Sequence, residues 1–506
     1  MINRRKIYVA ALLACVSAAA QAQTYEVVER RNFWNAGSNV NGLRTDSVTI
    51  SYAEACGRLD HGDFRDSWQS DMAWNAGAVA KTIMHQRKYS MTGAFSFDNT
   101  SGRNMCGSMF IRPGFYPVDI LEFTPGRKDL QTYAFMGGIT GDISDNWRIG
   151  GKMDFTSANY AKRRDLRHTN YRLDMEVTPG VMYHRGGLAV GLTYILGRNS
   201  ESVVAEQIGT GVAGEDSYRA FLDKGLMYGA GEVWEGSGIH LTELGGSGFP
   251  VKEIIHGVSV QMQRRSLYAD AEYLYSKGLA GEKETVWFRF PGHSVSSRLG
   301  YRFGRGGTLH FVRLNIRWSR QVNNENEIWK ENYEGTTTTH VIGSDRIFGK
   351  ETFVLSPEYE VTAPKGELRA GAAVSSLRRL TTLMYPYVVS QSMICAGVYA
   401  EGVLHAGRFD LKLGAAFASG KFTEKSRQVE MAEGEPGDPP ARLTDYYNLQ
   451  NEYMTAPRVT LAAGVRCNFP KGIYAEVGAR FTHGFNIEYI AGANRWEETL
   501  KIGYTF

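Results

Sequence analysis

Beyond its N-terminus the sequence lacks an uninterrupted apolar run near the roughly 20 residues that a transmembrane helix needs, so no membrane-spanning helix is predicted. An excess of charge of one sign is also missing. The 57 basic and 53 acidic residues leave a net charge of +4, which argues against a nucleic-acid partner bound through bulk charge. Cysteine is scarce, and the five residues form no CxxC pair, so neither a metal knuckle nor a redox motif is supported.

Glycine and tyrosine, in contrast, are abundant, with 57 and 27 residues. The mean hydropathy of −0.31 would suit a soluble protein. A transmembrane barrel gives a similar value, because polar residues that face the lumen offset apolar residues that face lipid. High glycine and tyrosine with little helical patterning favours the barrel.

The N-terminus has the pattern of a secretory signal peptide over residues 1–22. Arg4, Arg5 and Lys6 precede a short apolar run, and an Ala-Gln-Ala site ends at Ala22. The alternative is a lipoprotein box with Cys15 acylated, but the Ala-Gln-Ala site is better formed. We therefore expect ordinary cleavage and export.

The C-terminal stretch "TLKIGYTF" alternates apolar and polar residues with a period of two, as a strand with two different faces does. Its apolar face carries Leu500, Ile502, Tyr504 and Phe506. This ending resembles the signal that the outer-membrane barrel assembly machinery recognises, so that machinery is an expected partner.

The same alternation recurs upstream, and the opposite face is charged and rich in glycine. The predicted lumen-facing charges are Arg298, Arg302, Lys412, Arg466, Glu476 and Arg480. An arginine on a lipid face would cost about 2–4 kcal/mol at mid-bilayer, and the apolar sets contain none. The alternative is that these charges pair across a closed lumen and are purely structural.

Together these patterns predict an all-β protein, a transmembrane antiparallel β-barrel over residues 47–506 in the bacterial outer membrane, surrounded by lipid. Short turns alternate with long polar loops at 199–252, 323–350 and 421–456, as in bacterial barrels of about 18 strands. Sixteen or fourteen strands are the alternatives, because the segment near 48–52 is the weakest strand.

Two stretches do not fit the barrel wall. Residues 23–46 mix amides with apolar groups and predict a plug inside the lumen, formed by Asn32, Trp34, Asn35 and Asn39. The alternative is a periplasmic tail without fixed structure.

Residues 110–129 form a loop too apolar to remain exposed. We expect it to fold inward and narrow the pore, through Arg112, Phe115, Tyr116, Asp119, Glu122 and Phe123. The alternative is a loop that only caps its neighbours.

Cys56 and Cys106 are predicted to lie in neighbouring extracellular loops, where an oxidising compartment would permit a disulfide.

A catalytic arrangement is not supported. His293 and Ser294 are adjacent in a predicted strand, so their side chains point to opposite faces. The sequence therefore predicts no enzyme, no cofactor and no metal site.

The stretches "FWNAGSNVNGL", "SFDNTSGRN", "FYPVDILEFTPG" and the terminal "KIGYTF" resemble an uncharacterised outer-membrane β-barrel family of Bacteroidota. Members of that family accompany TonB-dependent uptake systems. The resemblance implies a helper role in nutrient or iron acquisition beside a TonB-dependent transporter or a surface lipoprotein.

The leading prediction is therefore uptake or passage of a small solute through a barrel whose pore is partly occluded by a loop. The second is a surface binding or assembly protein with a closed lumen, which docks a transporter, a lipoprotein or an extracellular ligand through its long loops.

Overall fold

A computed structural model describes residues 25–164, 166–206, 218–234, 248–282, 285–334, 336–384, 387–427 and 439–506. The predicted signal peptide and parts of the loops at 199–252 and 421–456 lie outside these residues. Twenty strands make up one continuous antiparallel sheet. In chain order they are β1 (Ile50–Gly62), β2 (Met72–His85), β3 (Tyr89–Ser108), β4 (Asp119–Ser144), β5 (Trp147–Lys162), β6 (Arg167–Arg185), β7 (Leu188–Glu206), β8 (Tyr218–Asp223), β9 (Gly229–Trp234), β10 (Phe249–Arg264), β11 (Leu267–Glu282), β12 (Thr285–Arg305), β13 (Thr308–Tyr333), β14 (Thr336–Ala363), β15 (Gly366–Met384), β16 (Tyr387–Ala406), β17 (Phe409–Arg427), β18 (Arg458–Asn468), β19 (Ile473–Gly484) and β20 (Asn494–Thr505).

Eighteen of these strands close into a barrel, which confirms the predicted fold class and strand number. Each barrel strand pairs with the next, β7 pairs with β10, and β20 pairs with β1. At the closure, Ser51 and Phe506 exchange two backbone hydrogen bonds of 2.8 and 2.9 Å. The strand predicted near 48–52 is therefore real and begins at Ile50. Closure gives each of the 18 described barrel strands a partner on both sides, as a membrane requires, because it does not tolerate an unpaired edge.

The outer face of the wall is a continuous apolar belt with aromatic residues at both ends. At the C-terminal end of β20 and just beyond it, Leu500, Ile502, Tyr504 and Phe506 are all exposed, as the alternation predicted. Elsewhere on the outer face, Tyr301, Phe303 and Tyr359 lie near one end of the strands, and Phe353 lies toward the other. A soluble protein would not expose so much contiguous apolar surface, whereas a barrel in lipid does.

The two ends of the barrel differ in the length of their connections. Tight turns such as those at Gly186, Gly306 and Gly407 join strands at one end. The long connections lie at the other end, which we assign to the cell surface by this asymmetry. The predicted loop at 323–350 is wrong: β13 and β14 stay paired as far as Tyr333 and Thr336, so most of it is a long hairpin.

The chain also forms elements that are not strands of the barrel wall. Strands β8 and β9 form a hairpin, and β8 pairs with the first residues of β4 from Asp119 to Leu121. Helix α1 (Tyr25–Arg31) and two 3₁₀ turns (Phe33–Ala36 and Val40–Thr45) precede the barrel. Helix α2 (Pro439–Thr455) joins β17 to β18, and a third 3₁₀ turn (Pro470–Gly472) joins β18 to β19. None of the described helices is both long and apolar enough to cross a membrane.

Candidate functional site

The lumen of the barrel is the candidate functional site, and it is occupied at both ends. Residues 25–46, here the N-terminal segment, fill the periplasmic end. The connection between β3 and β4, residues 109–118 and here the luminal loop, fills the cell-surface end together with the β8–β9 hairpin and α2. Charged side chains of the wall line the space between, here the luminal chamber.

The N-terminal segment owes its compact shape to its asparagines. The Asn32 side chain accepts a hydrogen bond of 3.1 Å from the Trp34 backbone amide, and so caps the first 3₁₀ turn. The Asn35 side chain donates to the carbonyl of Glu29 at 3.2 Å. Such local side-chain bonds replace the backbone partners that short helices lack. Sequence analysis therefore named residues that fold this segment.

Two of the named residues also attach the segment to the wall. The indole Nε1 of Trp34 donates to Gln263 Oε1 at 2.6 Å, and the Trp34 side chain is 1% exposed. The backbone amide of Asn39 donates to Gln261 Oε1 at 2.7 Å, and its side chain donates to the Val181 carbonyl at 3.0 Å. Trp34 and Asn39 therefore dock the segment on β6 and β10.

Inward-facing glycines make room for this contact. A Cβ on Gly191 would lie 2.5 Å from Asn39 Nδ2, and a Cβ on Gly150 would lie 2.8 Å from Val40 Cγ1. Real Cβ atoms do not come this close to other atoms, so any larger residue would push the segment away from the wall. The glycine-rich inner face is thus a binding surface for the protein's own N-terminal segment.

Sequence analysis missed two residues of this contact. Asn41 is completely buried, donates to the Gly180 carbonyl at 2.9 Å and accepts from Thr140 Oγ1 at 2.6 Å. Arg44 forms an ion pair of 2.6 Å with Asp142 of β4. The Asn-x-Asn spacing of Asn39 and Asn41 was a signal that could have indicated the first. Nothing in the sequence marks Arg44, because its partner is distant in the chain.

The luminal loop lies inside the barrel and packs against inward-facing aromatics. The ring of Phe110 lies 6.2 Å from that of Phe249, and the ring of Tyr116 lies 6.0 Å from that of Phe290. These rings belong to the largest buried apolar cluster, whose members include Met109, Phe110, Tyr116, Val118, Val203, Phe221, Leu222, Phe249, Trp287, Phe288, Phe290, Phe348, Leu443 and Tyr447. The cluster joins the loop, the hairpin, α2 and the wall into one layer.

Polar contacts hold the side of the loop that faces the luminal chamber. Arg112 lies 3.9 Å from Asp174, and the guanidinium of Arg172 lies 4.6 Å from the centre of the Phe115 ring. The Tyr116 hydroxyl donates to Asn199 Oδ1 at 3.2 Å, and burial raises the pKa of this phenol. Arg112, Phe115 and Tyr116 therefore lie together on this side of the loop.

Asp119, Glu122 and Phe123 do not belong to the loop, contrary to the sequence prediction, but to β4. Pro125 lies within β4, at an irregularity of the β3–β4 pairing, where a missing backbone N–H costs no regular ladder bond. Asp119 accepts from Ser108 Oγ at 2.7 Å, and the Phe123 ring lies 5.1 Å from that of Tyr446 on α2.

Most of the predicted lumen charges pair along the wall with neighbouring strands. Arg298 binds Asp270 at 2.7 Å, and Arg480 lies 3.6 Å from Glu497. Lys412 and Arg466 both bind Glu476, at 2.6 and 2.7 Å. Arg302 is exposed near the turn between β12 and β13. Lateral pairing neutralises much of the field that these groups would otherwise produce.

The luminal chamber nevertheless contains water-accessible charge. Asp154, Glu401 and Arg480 occupy inward-facing positions of β5, β16 and β19, and their side chains are 41, 49 and 55% exposed. A lumen packed solid would leave such side chains without accessible surface. Charged side chains in the middle of the lumen are thus accessible to water, between the segments that occupy its two ends.

The predicted disulfide is wrong, because Cys56 and Cys106 are both free. Cys56 lies in β1, and Cys106 lies at the end of β3 with its Sγ 3.0 Å from the hydroxyl of Tyr446. Both residues are in the wall rather than in adjacent loops. Within the described residues no group of His, Cys, Asp and Glu side chains could hold a metal ion.

His293 and Ser294 occupy opposite faces of β12, as the strand alternation predicted. His293 Nδ1 lies 2.9 Å from the hydroxyl of Tyr273, whose exposed ring belongs to the lipid-facing belt. Ser294 is the register partner of Leu274 and Ser319, on the other side of the wall. The imidazole and the hydroxyl are therefore not placed to share a proton.

A closed 18-stranded antiparallel barrel with an apolar belt is an outer-membrane β-barrel protein, and this one has both ends of its lumen filled by its own chain. Residues 42–506 match the model of a family of unknown function, DUF6850, and the chain belongs to that family. No curated protein sequence matches the chain.

Solved structures with a similar fold are bacterial receptors and transporters. FpvA of P. aeruginosa in a ferric pyoverdine complex has 8% identity and a TM-score of 0.41, covering 90% of this chain and 72% of FpvA. BauA, the ferric preacinetobactin receptor of Acinetobacter baumannii, has 7% identity and a TM-score of 0.39, covering 91 and 80%. The FrpB iron transporter of Neisseria meningitidis has 9% identity and a TM-score of 0.41, covering 92 and 82%. At scores this low the resemblance bears on neither the solute nor the mechanism.

Proposed function

We propose that this protein takes part in the uptake of a small solute across the outer membrane, as a barrel with a gate at each end. The observation that carries the proposal is the hydrated, charged chamber between two closures made by the protein's own chain. A barrel that served only as a membrane anchor would gain nothing from a solvated chamber. The family resemblance implies a nutrient or iron-related solute and a TonB-dependent transporter as a partner.

The two closures differ in how they are held. The cell-surface closure belongs to a large continuous apolar cluster. The N-terminal segment rests on two smaller clusters and on amide hydrogen bonds to the wall. Apolar burial contributes about 25 cal/mol per Å², so the smaller closure is the weaker one. We therefore expect the N-terminal segment to open first. Trp34 and Asn39 hold it in place through their hydrogen bonds to the wall.

Single-channel conductance in a planar bilayer tests this proposal. The proteins to compare are the wild type, a variant lacking residues 25–46, a variant with residues 110–118 replaced by a glycine-serine linker, and the combination. We expect a silent wild type and a steady conductance in the combined variant, with smaller or briefer openings in the N-terminal deletion. A combined variant that is folded but silent would overturn the proposal.

A second function is supported by one separate feature, the hairpin of β13 and β14. It continues beyond the belt, and near its tip Tyr333 is 70% exposed and Ile342 is 67% exposed. Large apolar side chains in such positions mark binding surfaces. On this alternative the lumen stays closed and the hairpin docks a transporter or a surface lipoprotein. Loss of a co-purified partner on changing Tyr333 and Ile342 to serine, with conductance absent from every variant, would favour it.

A further inference from the structure

We propose that the outer wall at β13, β14 and β15 carries a binding site for the phosphate group of an anionic glycolipid in the outer leaflet. The site is a cleft of about 220 Å³ whose lining includes Arg320, Arg346, Arg378, Glu351, Gly349 and Leu380. It faces lipid rather than the lumen, so it is separate from the proposed solute path.

The level of this cleft follows from the strand register. Arg320 and Arg378 are the register partners of Glu351 on its two sides, so the three side chains share one row on the outer face. The next outward-facing row toward the membrane centre contains Trp318 and Phe353. Aromatic residues mark the edge of the hydrocarbon region in barrels. The arginines therefore lie just beyond that edge, at the level of lipid headgroups on the cell-surface side.

The charge in the cleft is unbalanced in favour of an anion. Three guanidinium groups face one carboxylate, and Glu351 already accepts a hydrogen bond of 2.7 Å from Trp318 Nε1. Within the part of the chain that the structure describes, none of the three guanidinium groups forms an ion pair with a carboxylate. Guanidinium groups bind phosphate through paired hydrogen bonds, so converging arginines of this kind suit a phosphate monoester.

The backbone is shaped to permit this convergence. A Cβ on Gly349 would lie 2.5 Å from Arg346 Nη2, so the glycine leaves room for the Arg346 side chain to lie against the strand in its present position. Lys350, the next residue, also lines the cleft, but its ammonium donates to the Gly114 carbonyl of the luminal loop at 2.9 Å. The Lys350 ammonium therefore holds the luminal loop, whereas the three guanidinium groups face outward.

The cleft is also the centre of a wider basic zone. Along β7 and β10 to β17, the outward-facing positions at the cell-surface end carry exposed basic side chains, namely Arg198, Lys252, Lys277, Arg289 and Lys421. Basic residues next to the hydrocarbon region attract anionic headgroups. The cleft adjoins the apolar belt through Trp318 and Phe353, one outward-facing row toward the membrane centre, which suits a ligand with acyl chains better than a free anion.

The test measures lipid bound to the intact, detergent-purified protein by native mass spectrometry, with bisphosphorylated lipid A as the probe. The variant is R320Q/R346Q/R378Q. The matched control is K365Q/R408Q/K471Q, which makes the same charge change in exposed turns at the periplasmic end. We expect at least a tenfold loss of bound lipid A in the cleft variant and wild-type binding in the control. Retention of the folded, heat-modifiable band in both variants establishes that folding is unchanged.

Two further arms identify the ligand. Dephosphorylated lipid A is expected to bind wild type no better than it binds the cleft variant, and inorganic phosphate at equal concentration is expected not to displace lipid A. Equal lipid binding by the cleft variant and the wild type would overturn the proposal. The proposal would also be overturned if wild type bound dephosphorylated lipid A as well as it binds lipid A. Displacement of lipid A by inorganic phosphate would show that a free anion is the ligand.

Discussion

The carboxylate of Glu122 lies 3.0 Å from the ammonium of Lys128, and their side chains are 1% and 0% exposed. The ammonium of Lys162, equally buried, approaches the same carboxylate at 2.5 Å. One carboxylate is thus shared by two lysines beneath the cell-surface closure, next to the ring of Tyr160. Buried charges are costly unless they are paired, so the stability of this end of the barrel depends on Glu122.

Replacing Glu122 with glutamine is expected to lower the free energy of unfolding by about 3–5 kcal/mol, because two buried ammonium groups lose their counter-charge. Urea unfolding in detergent micelles, followed by tryptophan fluorescence, measures the change. The matched control is Asp129→Asn, which breaks the exposed Arg127–Asp129 pair of 3.0 Å and should cost less than about 1 kcal/mol. Equal effects of the two substitutions would contradict this account of the cluster.

The barrel wall was predictable because a strand in lipid has to alternate. The apolar positions of β20 and the charged positions of β18 and β19 follow directly from a period of two. Strand number followed from counting turns. The 323–350 hairpin was missed because its polar side chains, such as Asn324 and Asn332, read as a loop, whereas cross-strand pairing there overrides local composition.

The candidate site was predictable only where a residue's own neighbours decide its structure. Asn32 and Asn35 bond locally, so the sequence pointed to them. The partners of Glu122 and Arg44 lie in other strands, and no single sequence reveals such contacts. The predicted disulfide failed for the same reason, since both cysteines lie in strands whose register was unknown.

The fit of the N-terminal segment on its glycines gives a second prediction. Gly191→Val places a side chain where Asn39 and Trp34 now lie, so the segment is expected to leave the wall. Trypsin added from the periplasmic side of reconstituted vesicles should then cleave at least tenfold faster after Arg44 than in wild type. The control is Gly137→Val, since a Cβ at Gly137 meets nothing within 4 Å. Unchanged cleavage in Gly191→Val would show that the glycines do not cradle the segment.

The paired charges of the wall give a third prediction, which separates structural from electrostatic roles. The side chain of Asp270 is completely buried, and its carboxylate also accepts a hydrogen bond of 2.8 Å from the hydroxyl of Tyr268. Arg298→Gln leaves this carboxylate without its counter-charge and is expected to cost about 2–3 kcal/mol of unfolding free energy. Arg480→Gln breaks a longer and more exposed contact and should cost less than about 1 kcal/mol.

Urea unfolding measures both variants under identical conditions. If Arg480→Gln lowered the free energy of unfolding as much as Arg298→Gln does, solvent exposure would not explain the difference between the Arg480–Glu497 and Arg298–Asp270 pairs. In a variant that conducts, Arg480→Gln should still change ion selectivity, because its guanidinium remains accessible to water in the luminal chamber.

The docking of the β8–β9 hairpin contains a titratable contact. Asp223 of β8 is the register partner of Asp119 of β4, and burial raises the pKa of the Asp223 carboxyl from 3.8 to about 6. Arg379 and the backbone amide of Gly225 oppose this rise. The neighbouring Lys224 is already paired with Glu325 at 2.5 Å. The hairpin is therefore bound most tightly when Asp223 is protonated.

Because the pKa of Asp223 is higher in the docked state, its contribution to docking is fully present below pH 3.8 and is lost as the pH rises through about 6. Hydrogen-exchange protection of the β8 amides, corrected for intrinsic rates, should fall by roughly 10- to 100-fold between pH 4 and pH 8. Asp223→Asn keeps an acceptor for Gly225 but cannot ionise, so its protection should depend less on pH than that of wild type, the remainder coming from Asp119, whose carboxyl pKa burial raises to about 8. The β10–β11 amides serve as the internal control, and a pH-dependent loss as large in Asp223→Asn as in wild type would place the titrating group elsewhere.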